Sequence, residues 1–358
     1  MGLLERRTAV RDGGPRPKAL EKGAESRRGE VYNAGRTGSM GKRGVLAAAL
    51  AALASFIAGA AGAEAEEKRV VFVAGAQSHG YGAHEHNAGA LLLSGLLNDY
   101  YEGVTSVVYQ NGWPEEPDAF EGADSIVIYA DGGGGHPALP HLEELGAMMD
   151  DGVGLVVIHW ATGIPPDEAG DEWLAWVGGN KEPHWAVNPH WVLDDAELGD
   201  HPINRGVEPY TIDDEWYYHL RFREDMEGVD PILSAHPPHD TLDRPDGTYS
   251  NNPHVREAVL ERGEIQHVAW ASERDGGGRG FGFTGAHWHW NWGHPMFRRQ
   301  VLNAIAWTAH AEVPEGGAPV GDVTIEDLQA NQDYDMPDNF DLEHWENLVN
   351  EWREAYNE

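Results

Sequence analysis

Short apolar runs ending in glycine or a polar residue alternate with helical stretches through the first half of the chain. Lys68-Arg-Val-Val-Phe-Val-Ala-Gly75 reads as a buried strand. Ala88 to Tyr100 carries Leu91, Leu92, Leu96 and Leu97 at helical spacing. Thr105 to Tyr109 and Ala123 to Tyr129 are further strands, the second running into Asp131 and four glycines. A helix is expected over Pro140 to Asp150, and a fourth strand over Gly154 to His159. This alternation predicts a parallel sheet covered by helices on both faces, an α/β fold. Ligands of such sheets sit beyond the carboxyl ends of the strands. The first strand delivers Gln77, Ser78 and His79 to that edge, the third Asp131 and Gly132 to His136, and the fourth His159 and Trp160.

The second half is less regular, with strands expected near 187–193, 230–235, 265–272 and 280–286. A helix from Pro295 to His310 follows, carrying Phe297, Val301, Leu302, Ile305 and Ala306 on one side. Pro314 to Pro319 reads as a linker, and the acidic tail ends in an amphipathic helix using Leu342, Trp345, Leu348, Val349 and Trp352. At the other end, Lys42-Arg43 precedes an apolar small-residue run from Val45 to Ala63. Ala61-Gly62-Ala63 and Ala63-Glu64-Ala65 fit a signal-peptidase site, so 40–65 is expected to be a secretory signal and the protein exported to the periplasm or beyond. Residues 1–39, basic and without apolar periodicity, are expected to be a disordered extension ahead of the true start at Met40. The division is then 66–312 for the folded domain and 313–358 for linker and terminal helix.

The whole chain carries a net charge of −35, yet residues 1–65 hold 11 basic and 6 acidic side chains. The remainder therefore has 14 basic against 54 acidic residues, a net of −40, and its only lysines are Lys68 and Lys181. Such a surface repels nucleic acid and, once the signal is cleaved, anionic membranes. It leaves room for a homo-oligomer. With no cysteine, disulfides, thiolate nucleophiles and Cys-based zinc sites are excluded. No lysine and Ser/Thr follow the glycine run, so it is not a P-loop, and no nucleotide cofactor is expected.

Nine of the 19 histidines fall in short clusters with glycine, tryptophan or carboxylates. Imidazole titrates near neutral pH and binds metals, and tryptophan offers a flat apolar face to a sugar ring. His84-Glu85-His86 is an i, i+2 pair that could chelate in an extended segment, or a solvated helix start. The Gly132 to Gly135 loop, with Asp131, Gly133, Gly134 and His136, is placed to wrap sugar hydroxyls, or is a flexible turn. His159 stands at a strand end, where reactive side chains are often mounted, or is a buried ring bonded to backbone. Asp214 and Glu215 lie beside Trp216 and Tyr217, a setting that raises a carboxyl pKa for acid or base work. In His287-Trp-His289-Trp290-Asn-Trp292, an extended chain would point His287, His289 and Asn291 one way and the tryptophans the other. The alternative is an aromatic core corner.

These motifs together resemble the ThuA-like (trehalose-utilisation) family of the class I glutamine amidotransferase-like superfamily, over residues 68–312. The resemblance rests on Ser78-His79, Gly154 to His159, Gly178-Gly179 before His184, His201-Pro202-Ile203 with Gly206-Val207, Asp214-Glu215 with Tyr217, and Gly280 to Gly285 followed by His287. It implies a flavodoxin-like three-layer sandwich with a mainly parallel central sheet, and a link to catabolism of oxidised sugars, notably 3-keto-glycosides. The superfamily's nucleophilic cysteine is replaced at the comparable elbow by His159, so glutaminase chemistry is excluded.

The expected activity is acid–base chemistry on a sugar or keto-sugar glycoside (isomerisation, elimination or hydrolysis), assisted by a divalent metal such as zinc. His159, Glu215 and Asp214 are the catalytic candidates. His79, His159 and His287 are the expected metal set, with His86 and His289 as substitutes. Asp131, Gly133, Gly134, His136, Trp160, His190, Tyr217, Trp288 and Trp290 are the expected substrate contacts. The rival expectation is a non-catalytic periplasmic sugar- or metal-binding protein.

Overall fold

The computed structural model describes residues 67–356. The expected extension over 1–39 and signal peptide over 40–65 lie outside the described residues. No helix among the described residues is long and apolar enough to cross a membrane.

Strand β1 (Lys68–Ala74) leads to helix α1 (His86–Tyr100), then β2 (Val104–Tyr109) and β3 (Ser125–Tyr129). Helix α2 (Leu142–Asp150), β4 (Gly154–Ile158) and α3 (Pro166–Val177) follow. Short strands come next: β5 (Gly179–Asn180), β6 (Trp191–Leu193), β7 (Glu197–Leu198), β8 (Ile212–Asp214) and β9 (Arg221–Phe222). Then come β10 (Val229–Ala235), α4 (Pro253–Arg256), β11 (Gln266–Glu273), β12 (Arg279–Phe283) and α5 (Pro295–Thr308). The tail adds α6 (Ile325–Gln329) and α7 (Leu342–Ala355).

The central sheet has eight strands in the order β2-β1-β3-β4-β12-β11-β10-β7. The five from β2 to β12 run parallel, and β11, β10 and β7 complete it by antiparallel pairing. The first four follow the flavodoxin-like order 2-1-3-4, with its switch point between β1 and β3. Alternation along the strands divides the core into two faces. Val70, Phe72, Val127, Tyr129, Val156 and Ile158 pack towards α1 and α5. Val73, Ile126, Ile128, Leu155 and Val157 pack towards α2 and α3. This is a three-layer α/β sandwich.

Differences from expectation concentrate in the second half. The run near 187–193 yields only β6, which pairs with β8 in a separate two-stranded sheet. Pro189 has no N–H for a ladder, so the isolated Val187–Tyr218 bridge before it does not run on into β6. The His287 to Trp292 run is not extended: His289–Gly293 is a 3-10 helix, which cancels the two-residue alternation. Every residue of α5 is buried, because the tail covers its outer side. Arg298 donates to the carbonyls of Trp292, Val320 and Gly321, which ties down the segment after the Pro314 to Pro319 linker. Trp345 stacks on Trp290, and Val349 is fully buried.

Two core histidines make the fold acid-sensitive. Burial pushes His136 down to about 4, against a weaker opposing hydrogen bond to the Ala161 carbonyl. Burial, helped by Arg298, pushes His294 down to about 3. Both are neutral in the native state, whereas an unfolded histidine titrates near ~6.5. Their contribution is full above about pH 6.5 and is lost as pH falls towards the folded values. His294→Asn, which keeps an N-cap acceptor for Met296, is expected to lose about 2 kcal/mol less between pH 7 and pH 4.5 than the parent protein. Denaturant melts at the two pH values check this. An equal loss in both proteins contradicts it.

Candidate metal centre

Residues that follow five strands, four of them in the central sheet, meet at the carboxyl edge of that sheet. His84 comes from the loop after β1, Asp131 from the end of β3, and His159 from the first residue after β4. Glu215 follows β8, and His287 lies four residues beyond β12. Two loops are joined across the edge: His84 N–H donates to the His287 carbonyl at 3.0 Å, and Ala83 bridges to Trp288. His79, His84 and His159 all have positive φ, near 50–60°. Each costs of order 1 kcal/mol or more, strain that the surrounding hydrogen bonds must hold in place.

The imidazoles of His84, His159 and His287 converge with the carboxylate of Glu215, and one ligand atom from each lies within 4.8 Å of all the others. His84 Nε2 is 3.0 Å from His159 Nε2 and 3.0 Å from His287 Nδ1. Glu215 Oε2 is 3.2 Å from His287 Nδ1 and 3.4 Å from His159 Nε2. A tetrahedral ion with bonds of ~2.0–2.1 Å has ligand–ligand edges of about 3.3–3.4 Å. The cluster is therefore close to the size that would hold such an ion.

The outer nitrogens fix the chemistry of the inner ones. His84 Nδ1 lies 2.7 Å from Asp131 Oδ1, and His159 Nδ1 lies 2.8 Å from the Thr284 carbonyl oxygen. Both partners accept, so both Nδ1 atoms carry the hydrogen. Burial holds His84 well below the usual imidazole range despite Asp131, and the neighbouring His159 and His287 add to that effect. It is therefore neutral, with an Nε2 lone pair aimed at the Nε2 of His159. Two lone pairs 3.0 Å apart repel unless a cation lies between them. For Glu215, burial pushes the carboxyl up, but the adjoining His159 and His287 rings outweigh it and hold it well below its usual range. The donor set of three imidazoles and a carboxylate suits zinc or a similar divalent ion.

Around this set, Asn188 donates to Glu215 Oε1 at 2.9 Å. Tyr217 Oη lies 2.8 Å from His159 Nε2 and 3.1 Å from Glu215 Oε2. Burial, with Glu215 beside it, pushes the Tyr217 phenol well above its ordinary value, so it stays protonated. Asp214 does not face the cluster. Its buried carboxylate accepts from the backbone N–H of Glu215, Ala286 and His287 and from Asn291 Nδ2, and so knots the ends of β8 and β12 together.

The other expected site residues fall into two groups. At the mouth, exposed His79 stacks on His84 with ring centroids 3.6 Å apart, and Trp160 presents an edge to both. His190 and Trp288 meet His287 edge-on, at 4.8 and 4.5 Å. Gly133 and Gly134 form a 3-10 turn beside Trp160. Gly132 is required there, since a Cβ would lie 2.1 Å from the Trp160 carbonyl oxygen. The second group is turned away. His136 spends both nitrogens on backbone, Trp290 is buried against Tyr81, Phe340 and Trp345, and His289 is fully buried against the tail. His86 is buried one shell out, its Nε2 3.7 Å from Asp131. His84 takes the place expected for His79, and Asn188 and Lys181 were not anticipated. A separate open cavity of about 730 Å³, lined by residues including Trp185, His219 and His254, shares no residue with this centre.

Comparison with known proteins follows this geometry. The family model described as trehalose utilisation, ThuA, matches residues 71–308. The chain belongs to the ThuA family. It is also similar to two crystal structures of ThuA-like proteins. The one from Bacteroides uniformis ATCC 8492 is 15% identical, covers 70% of this chain and 94% of that one, and has a TM-score of 0.48. The one from Parabacteroides merdae ATCC 43184 is 14% identical, covers 68% and 90%, and has a TM-score of 0.43. No curated protein matches. Family membership ties the chain to sugar metabolism.

Asp131 orients His84 without joining the cluster. Asp131→Asn is expected to weaken zinc binding about 10–100-fold while the melting temperature of the metal-free protein stays close to that of the parent. Competition titration with a zinc chelator measures this, and unchanged affinity contradicts the orienting role.

Proposed function

We propose that this ThuA-family protein is an exported, metal-assisted enzyme of sugar catabolism that acts on a keto-sugar glycoside. The observation that carries the reading is the pair of facing imidazole lone pairs on His84 and His159, closed by His287 and Glu215 beneath a mouth of aromatic rings. His84, His159, His287 and Glu215 would hold a divalent ion, which when bound polarises a carbonyl or hydroxyl oxygen. This moves His159 from acid–base work to ligation, because both of its nitrogens are committed. It also makes Glu215, held as a carboxylate, a ligand rather than a base.

The protein's own groups then supply the rest. Tyr217 keeps its proton and can donate it at the centre. His79 and His190 flank the mouth, where burial lowers each imidazole from its usual value. Both can take a proton from substrate and pass it to solvent. Trp160 and Trp288 offer faces on which a sugar ring can stack. The near-complete burial of all four ligands favours a second reading, a closed site in a protein that binds metal or sugar without turnover.

Turnover separates the two. With a 3-keto-glycoside as substrate and zinc supplied, Tyr217→Phe is expected to lower kcat about 10²–10⁴-fold with metal content unchanged. His159→Ala is expected to lose both zinc and turnover while staying folded. Full activity in either variant contradicts its assigned role. Stoichiometric zinc with no turnover in the parent protein favours the binding reading.

A further inference from the structure

Beyond residue 65 the chain contains only two lysines. Lys68 is paired with Asp124 at the start of β1. Lys181 is buried, and its ammonium makes no hydrogen bond or ion pair among the described residues. Its Nζ lies 3.8 Å from the centre of the Tyr217 ring, 4.0 Å from that of Tyr249 and 5.2 Å from that of Trp160. Two of these rings belong to the metal centre's surroundings. Tyr217 bonds to His159 and Glu215, and Trp160 follows His159 directly.

The placement of Lys181 is built. Its backbone N–H donates to the Thr162 carbonyl, in the turn that carries His159. The preceding Asn180 clamps Ile164 through both its N–H and its carbonyl. Gly163 sits against Lys181 so closely that a Cβ would lie 2.9 Å from the Lys181 carbonyl oxygen. An aromatic cage favours the cationic form, whereas burial opposes it. The rings around the ammonium offer its N–H donors no oxygen acceptor. Trp160 Nε1, on one wall of the same cage, is a buried donor without a partner. Unfilled donors of this kind, fixed beside a metal centre, are what an oxygen-rich ligand would fill.

We propose that Lys181 is an oxyanion subsite, which binds a substrate oxygen that carries or develops negative charge beside the cluster of His84, His159, His287 and Glu215. The inference rests on the keto-sugar reading and names its substrate class: an α-hydroxy ketone that passes through an enediolate. Removing the proton from the carbon beside the carbonyl breaks the C–H bond. The electron pair moves into a new C=C bond, the C=O π pair moves onto oxygen, and the proton goes to a mouth histidine. The charged oxygen is the one Lys181 receives. Preorganised donors aimed at developing charge act most strongly in a dry site such as this one.

The test uses glycolohydroxamate, whose anion mimics a planar enediolate, titrated calorimetrically into zinc-loaded and metal-free protein. Zinc content is measured in parallel, so failure of the metal reading shows as absent zinc and is judged separately. Lys181→Met and Lys181→Gln are compared with the parent, the second in case the first does not fold. Zinc content is expected to stay unchanged, and the probe is expected to bind at least about tenfold more weakly to the variants in whichever form the parent binds it. Equal affinity in parent and variant overturns the proposal, as does failure of the parent to bind the probe in either form.

Discussion

Two imidazole nitrogens, each an acceptor, face one another 3.0 Å apart at the carboxyl edge of the sheet. That arrangement is costly unless positive charge lies between them, and the rest of the site holds the two rings to it. Asp131 and the Thr284 carbonyl each take the outer hydrogen of one ring, so neither His84 nor His159 can present an N–H to the other while neutral. Burial then keeps His84 from taking the proton that would relieve the repulsion in water.

The doubly wound topology makes this possible. The switch point lies between β1 and β3, so the loops that follow them open outward and leave a crevice. His84 and Asp131 line it. His159 and His287 arrive from the adjacent parallel strands β4 and β12. One buried carboxylate sets the spacing on the far side: Asp214 collects four backbone N–H groups and Asn291, and so holds Glu215 and His287 in register. The tail contributes from a distance, since Asp333 N–H donates to Glu85, which also accepts from Gly82 in the loop that carries His84.

The α/β alternation and the carboxyl-edge placement of His159 were legible in the sequence because they follow from local periodicity. The sandwich needed only those patterns and short connections. What stayed hidden depends on contacts between remote residues. Whether His79 or His84 turns inward is decided by the Ala83–Trp288 bridge and by positive φ at both histidines, which no local pattern encodes. His136 stands on the ligand edge yet points into the core, where the Ala161 carbonyl takes its Nε2. Trp290 and His289 were placed by assuming an extended chain, and the 3-10 turn rotates them towards the tail. Lys181 carried a faint signal, as one of two lysines in an acidic domain, but its burial beside Tyr217 is a tertiary fact.

The account stands on one ion being seated among remote imidazoles. Anomalous diffraction at the zinc edge, from crystals of the protein purified with zinc, addresses it directly. The expected map has a single strong peak about 2.0–2.1 Å from His84 Nε2, His159 Nε2 and His287 Nδ1. Zinc bound only to surface carboxylates, with these nitrogens left at their present spacing and no density between them, would contradict it.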